Sequence, residues 1–170
     1  LRFTHWLKNM RKLLFLLFCV CFYAFVFSQK ITAKVVGVKD GDTFVVLNEK
    51  KEIVVRLEHI DAPEKNQPFG NKAKQFASDF CFGKTVVVIG NGKKDRNGRW
   101  IGEIFYNNQN LNKELVRNGL AWHYKRYSKS ANYADLEIAA RKKKVGLWRD
   151  KDPIAPWNWR KSKRKKVQNL

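Results

Sequence analysis

Acid is scarce in this chain: 15 Asp and Glu stand against 35 Lys and Arg, a formal net charge of +20 over 170 residues. Such an excess is more than solubility requires and marks a polyanionic partner, whether nucleic acid, an anionic membrane surface or an acidic polysaccharide. Cysteine is equally sparse. Cys19 and Cys21 sit in an apolar N-terminal stretch, which leaves Cys81 alone in the body of the chain. A disulfide framework and a cysteine-ligated zinc site are both excluded. Cys81 falls among Phe76, Phe80 and Phe82, the setting of a small buried hydrophobe rather than of a nucleophile. The histidines, His5, His59 and His123, have no triad partners and read as structural. Long apolar runs are missing as well. Leu13 to Phe27 would span only about 22 Å as a helix, short of the roughly 30 Å hydrocarbon layer.

That short run is preceded by Arg11-Lys12 and followed by Ser28-Gln29-Lys30, the pattern of a secretory signal with cleavage after Ser28. Val26 and Ser28 would fill the −3 and −1 positions, and Met10-Arg11-Lys12 would open a tidier signal than Leu1 does. An uncleaved N-terminal anchor is the competing reading. The expected location is therefore secreted or periplasmic. At the other end Arg160, Lys161, Lys163, Arg164, Lys165 and Lys166 come with no acid, which reads as a disordered, solvated tail. Even so, it would add non-specific affinity for a phosphate backbone. The expected organisation is a leader over 1–28, one domain over 29–160 and a basic tail over 161–170.

A content of 44% hydrophobic and 14% aromatic residues is enough to build a core for that single domain. Ile31 to Lys39, Thr43 to Leu47 and Glu52 to Ile60 are rich in Val and Ile and partly alternate, which predicts three strands. Asn48-Glu49-Lys50-Lys51 is the hairpin turn between the second and third. Phe69, Ala73, Phe76, Ala77 and Phe80 recur at helical spacing, with Gly83 as a stop. Thr85 to Ile89 and Trp100 to Tyr106 read as two more strands. Leu111, Leu115 and Leu120 mark a second helix ending near Gly119; Tyr133, Leu136, Ala139 and Ala140 mark a third, closed by Gly146. The fold class is α+β, mainly β: a five-stranded antiparallel barrel of the oligonucleotide-binding kind (OB-fold) with three helices.

The few acids cluster at turns. Asp40-Gly41-Asp42-Thr43 opens the second strand, and Ile60-Asp61-Ala62-Pro63-Glu64 follows the third. Folding the chain back about Lys50 brings Asp42 opposite residues near Asp61, so two hard oxygen ligands suited to Ca²⁺ or Mg²⁺ meet at the open end of one hairpin. With no His or Cys cluster, a soft metal is disfavoured. Arg56, on the strand face opposite Val55 and Leu57, can form a surface ion pair or clamp a phosphate bidentately. Arg99, in Asp95-Arg96-Asn97-Gly98-Arg99, stands at a loop-to-strand junction. Glu64, behind Pro63, can accept a proton from a water attacking phosphorus or orient that water. Tyr124-Lys125-Arg126-Tyr127 interleaves aromatic and basic side chains, as single-strand binding requires; Trp122 just before it reads as core.

In this order and spacing these stretches resemble the staphylococcal nuclease (thermonuclease) family, from Ile31 to about Arg160. Leu115-Val116-Arg117-Asn118-Gly119-Leu120-Ala121, Gly146-Leu147-Trp148 and Pro156-Trp157-Asn158-Trp159-Arg160 add to the likeness. The resemblance implies a five-stranded barrel with three helices and a secreted Ca²⁺-dependent phosphodiesterase acting on DNA and RNA to leave 3′-phosphate ends. It places metal ligands on Asp42, Asp61 and the Ala62 carbonyl, phosphate-binding arginines on Arg56 and Arg99, and the water-activating carboxylate on Glu64. Tyr127 takes the position of an aromatic lining the nucleotide pocket, with Lys125, Arg126 and Arg96 as further nucleic-acid contacts. No protein partner is required, and a monomer suffices. Two departures stand out: Asn97 replaces an aromatic that packs near the bound base, and the connection from Glu64 to the first helix is short. A non-catalytic nucleic-acid-binding barrel would share the charge and the aromatics, and only the intact acid-and-arginine set separates the two readings.

Overall fold

Alternation of buried and exposed side chains shapes the five principal strands in the computed structural model, which describes residues 29–168. The apolar leader, with His5, Cys19, Cys21 and the expected cleavage point, lies outside them. Strands β1 (Gln29–Asp40), β2 (Thr43–Asn48) and β3 (Lys51–Leu57) form an antiparallel meander, with Thr43 opposite Arg56 and Asn48 opposite Lys51. After β4 (Ile60–Asp61) and helix α1 (Gly70–Cys81), β5 (Thr85–Lys94) pairs with β1, and β6 (Trp100–Tyr106) pairs with β5. The sheet then closes on itself: β3 and β6 run parallel, Val55 beside Trp100 and Leu57 beside Gly102. The expected five-stranded barrel is what forms, with one parallel seam at its closure.

Inward-facing Val35, Phe44, Val46, Val55, Val86, Val88 and Ile104 fill the barrel, capped by Ala73, Ala77 and Cys81 of α1. Each such aliphatic or aromatic residue contributes about 1.5–3 kcal/mol on burial. Short β7 (Gln109–Asn110) leads into α2 (Leu111–Arg117), where the Asn110 side chain accepts a hydrogen bond from the Lys113 N–H as an N-cap. Then come β8 (Trp122–His123), paired with β4, helix α3 (Ala131–Lys142), a 3₁₀ turn (Gly146–Arg149) and α4 (Pro156–Gln168). The described residues thus hold four α-helices where three were expected. The fourth occupies the stretch that composition assigns to a solvated tail. Among the described residues no helix is long and apolar enough to cross a membrane.

The third strand also differs from expectation, and the difference builds the site. The pattern predicts one strand from Glu52 to Ile60, but the chain breaks at His59, whose φ is +70°. A left-handed histidine is uncommon and costs of order 1 kcal/mol or more. The surroundings hold it there. His59 Nδ1 lies 2.9 Å from Ser128 Oγ, its carbonyl accepts from the Tyr124 N–H at 2.8 Å, and its ring rests 4.8 Å from that of Tyr133. His123 Nε2 meets the same Ser128 hydroxyl at 2.9 Å, so both described histidines are structural, as read. Beyond the break β4 turns toward the mouth of the hairpin, carrying Asp61.

Candidate active site

Residues Asp40 to Thr43 set one wall. Gly41 is required by close approach: a Cβ there would come 2.8 Å from both Ala62 Cβ and Ala73 Cβ. Only a residue without a side chain lets the turn press against the Ala62 segment. That contact brings Asp42 Oδ2 within 2.6 Å of the Ala62 N–H, which donates to it, while Thr43 Oγ1 donates to Asp42 Oδ1 at 3.3 Å. Asp42 is 5% exposed and Asp61 fully buried. Carboxylates this deep need cationic partners.

Arg56 is the first. Its Nη1 lies 2.5 Å from Asp42 Oδ2, an ion pair without an aligned hydrogen bond, and its Nη2 donates to Asp61 Oδ1 at 2.8 Å. Burial works to lower the Arg56 pKa, but the charges of Asp42, Asp61 and Asp40 more than offset this and hold it above the usual value. The surface ion pair weighed for this side chain is instead a nearly buried one between two acids.

The second partner is Arg160, from the first turns of α4, which sequence reasoning left at the edge of the tail. Its Nη2 donates to Asp61 Oδ2 at 2.7 Å; its Nη1 donates to Asp61 Oδ1 at 3.2 Å and to Glu64 Oε1 at 2.7 Å. Two like-charged carboxylates are thereby bridged by one guanidinium. Burial holds the Asp61 carboxyl above the usual range, against the pull of the Arg160 hydrogen bonds and with the charge of Asp42 adding to the rise. Gln67 fixes the Glu64 loop: its Oε1 accepts from the Glu64 N–H at 3.2 Å and its Nε2 donates to the Ile154 carbonyl at 2.6 Å. One buried amide therefore ties the Glu64 loop to the approach to α4. Gly70 completes the brace, since a Cβ there would fall 1.9 Å from the Glu64 carbonyl oxygen.

Arg99 stands one hydroxyl away. Its Nη1 donates to Thr43 Oγ1 at 3.3 Å, and Asp95 holds its other edge, with Nε donating to Asp95 Oδ2 at 2.7 Å. Burial of Asp95 is outweighed by the hydrogen bonds from Arg99, which keep that carboxyl below the usual range. The structure therefore brings Asp42, Asp61, Arg56 and Glu64 into one cluster of ion pairs and hydrogen bonds and sets Arg99 beside it through Thr43. Lys125 and Arg126 lie elsewhere, lining a cavity of about 310 Å³ with Trp122, Tyr124 and Trp157. Lys125 Nζ is 3.5 Å from the buried Glu137 carboxylate, and Tyr127, 72% exposed, packs edge-on against Tyr124. Among the described residues no ion pair or side-chain hydrogen bond joins these three to the acid cluster. Arg96 is exposed on the β5–β6 turn. Cys81 is buried, and burial pushes its thiol up to about 12, which removes it as a nucleophile.

The donor chemistry suits a hard divalent ion: Asp42 and Asp61 carboxylates beside the Ala62 backbone, with no sulfur or imidazole. Burial, and then the charge of Asp42, push the Asp40 carboxyl up to about 6. Both Asp61 oxygens, however, are engaged by guanidinium groups, and among the described residues no three His, Cys, Asp or Glu side chains are arranged to hold an ion. The residues fit such an ion by chemistry, with Arg160 competing for the same oxygens.

A closed OB-type barrel carrying buried aspartates, flanking arginines and a loop glutamate at one end defines a nuclease-family scaffold. Residues 54–150 match the family described as staphylococcal nuclease homologues, and the chain belongs to that family. It is 43% identical over 137 residues to a Haemophilus influenzae protein named an uncharacterized endonuclease, covering 80% of this chain and 76% of that one. An Escherichia coli O157:H7 protein with the same name is 40% identical over 139 residues, 81% of this chain and 90% of its own. A Shigella flexneri protein named micrococcal nuclease is 38% identical over 140 residues, 76% of this chain and 80% of its own.

Proposed function

We propose that the protein is a metal-dependent nuclease that hydrolyses phosphodiester bonds in DNA or RNA, with Ca²⁺ as the ion, acting outside the cytoplasm. The observation that carries the reading is the cluster itself: Asp42 and Asp61 joined by Arg56 at 2.5 and 2.8 Å, with Glu64 tied to Asp61 through Arg160. Asp42, Asp61 and the Ala62 carbonyl would hold the ion. When bound, it would supply charge neutralisation at a phosphate oxygen and a more acidic water.

The remaining chemistry belongs to the chain. Arg56 and Arg99 approach from two sides of Asp42 and Thr43, so a phosphate between them meets donors already in place. Preorganised donors of this kind stabilise the charge that builds up at phosphorus as water adds, and each is worth about 3–4 kcal/mol. Glu64, on a braced loop, accepts the proton of the attacking water or orients it. Water adds to phosphorus as the P–O bond to the 5′ oxygen breaks, and that oxygen leaves with a proton taken from solvent water, so the products would carry 3′-phosphate and 5′-hydroxyl ends. The short leader supports a secreted or periplasmic location, cleaved or anchored.

The test is digestion of plasmid DNA by purified protein with Ca²⁺ and then with chelator. Cleavage with Ca²⁺ that stops on chelation is the expected result. DNA that is bound but left intact with Ca²⁺ would mark a non-catalytic nucleic-acid-binding barrel instead.

A further inference from the structure

Helix α4 carries Arg160, Lys161, Lys163, Arg164 and Lys165 and not one acid. Like charges at i,i+3 and i,i+4, such as Arg160 with Lys163 and Arg164, repel and disfavour the helix. Yet the helix is fastened in place. The Trp157 ring lies parallel to that of Tyr124, 4° between planes and 5.2 Å between centroids, and meets Trp122 edge-on at 5.6 Å. Ala155 and Pro156 are buried, and the Gln67 amide grips the Ile154 carbonyl at 2.6 Å. The fold holds a self-repelling basic helix against its most acidic site.

Between this helix, the Glu64 loop and the β5–β6 turn runs an open groove of about 400 Å³. Its lining includes five cations, Lys65, Arg96, Arg160, Lys163 and Arg164, and a single acid, Glu64, which Arg160 already holds. Lys65, Arg96, Lys163 and Arg164 have no carboxylate partner among the described residues. Trp159 adds a ring with the Lys163 ammonium 5.5 Å from its centroid, and its indole N–H has no acceptor among the described residues. Glu64 and Arg160 belong both to this groove and to the acid cluster, so the two are continuous.

We propose that the groove is a second phosphate subsite, holding the nucleic-acid strand beyond the scissile phosphate. Arg96 and the α4 pair Lys163 and Arg164 take neighbouring phosphates from opposite walls, and Trp159 offers a stacking face to a base. The proposal rests on the nuclease reading for the position of the scissile bond. An anionic membrane is the weaker occupant, because α4 presents no exposed large apolar side chain among its described residues 156–165 to sink into lipid.

The test is binding of a labelled dinucleotide and a labelled octanucleotide in chelator, which separates binding from cleavage. For K163Q/R164Q, octanucleotide affinity should fall about tenfold, and the slope of log K against log salt should shrink by about 1.4, or 0.7 for each lost phosphate contact. Dinucleotide affinity should stay within twofold. R96Q, which leaves α4 untouched, should lower octanucleotide affinity severalfold with half that change in slope. Equal losses on both ligands, or none, would overturn the proposal. So would loss of binding to phosphatidylserine vesicles with octanucleotide binding intact, which would assign the helix to lipid. A protein that shows the length-dependent loss but never cleaves DNA keeps the groove and refutes the nuclease reading instead.

Discussion

Arg160 and Asp40 are the residues whose surroundings say most about the site. Arg160 shares its guanidinium between Asp61 and Glu64, so its loss leaves a fully buried aspartate with Arg56 as its one cationic partner. Arg160→Gln should lower the stability of the metal-free protein by about 1–3 kcal/mol, less than for a buried pair broken outright because Arg56 remains. Ca²⁺ should raise the melting temperature of this variant more than that of the wild type, since one of the two guanidinium groups that engage Asp61 is gone. An equal or smaller rise would show that Arg160 does not compete. Asp40 titrates the other way from an ion-paired acid. Its folded pKa, pushed up to about 6 by burial and Asp42, lies above the ordinary 3.8. The folded state therefore binds the extra proton, and stability falls as pH rises from 4 to 6. In chelator, Asp40→Asn should stabilise the protein by about 1–2 kcal/mol at pH 7 and by nothing below pH 4, as followed by urea unfolding. Stabilisation independent of pH would contradict the assignment. Asp42, Asp61 and Glu64 were legible in the sequence because acids are rare here and theirs fall at turns, and Arg56 because its strand runs between the two aspartates. Arg160 was not: it is 96 residues from Glu64, in a stretch whose composition reads as solvent-facing. Nor was Gln67, whose amide carries no reactive signature.

At the scale of elements, the site depends on two chain segments being pressed together. The Asp40–Thr43 turn meets Ala62 and α1 with no room for a methyl group. Gly41→Ala should cost about 1–3 kcal/mol through overpacking, and it should also part Asp42 from the Ala62 N–H. Calorimetric Ca²⁺ affinity should then weaken together with stability. Lost stability with unchanged affinity would show that the turn is not part of the ion site. The three long hairpin strands were readable from Val and Ile alternation. The break at His59 was not, since a positive φ at a non-glycine residue leaves no mark in composition and is enforced by Ser128 and Tyr124 from far along the chain. Helix α4 escaped notice for a similar reason. Its docking rests on Trp157, Ala155 and Pro156 at its start, while its charges repel one another along its length.

For the molecule as a whole, charge and shape divide the work. The barrel buries its apolar alternation in a closed sheet; the order of five strands with one helix between them pointed to that architecture, but not to the parallel seam of β3 and β6 that closes it. The net charge of +20 draws a polyanion toward the surface by a long-range field, so association should slow steeply with salt. Cleavage of already bound substrate should respond far less, because the cluster at Asp61 is buried and poorly screened. A cleavage rate at saturating DNA that fell as steeply with salt as association does would count against this separation. The proposed chemistry requires Glu64, Arg56 and Arg99 to act on one phosphorus atom. It is tested most directly by single-turnover cleavage of DNA with Ca²⁺ by the wild type, Glu64→Gln, Arg56→Gln and Arg99→Ala, with folding checked by circular dichroism. Each variant should fold and be slowed by about 10² or more; a folded Glu64→Gln or Arg99→Ala protein cutting at the wild-type rate would remove that residue from the chemistry.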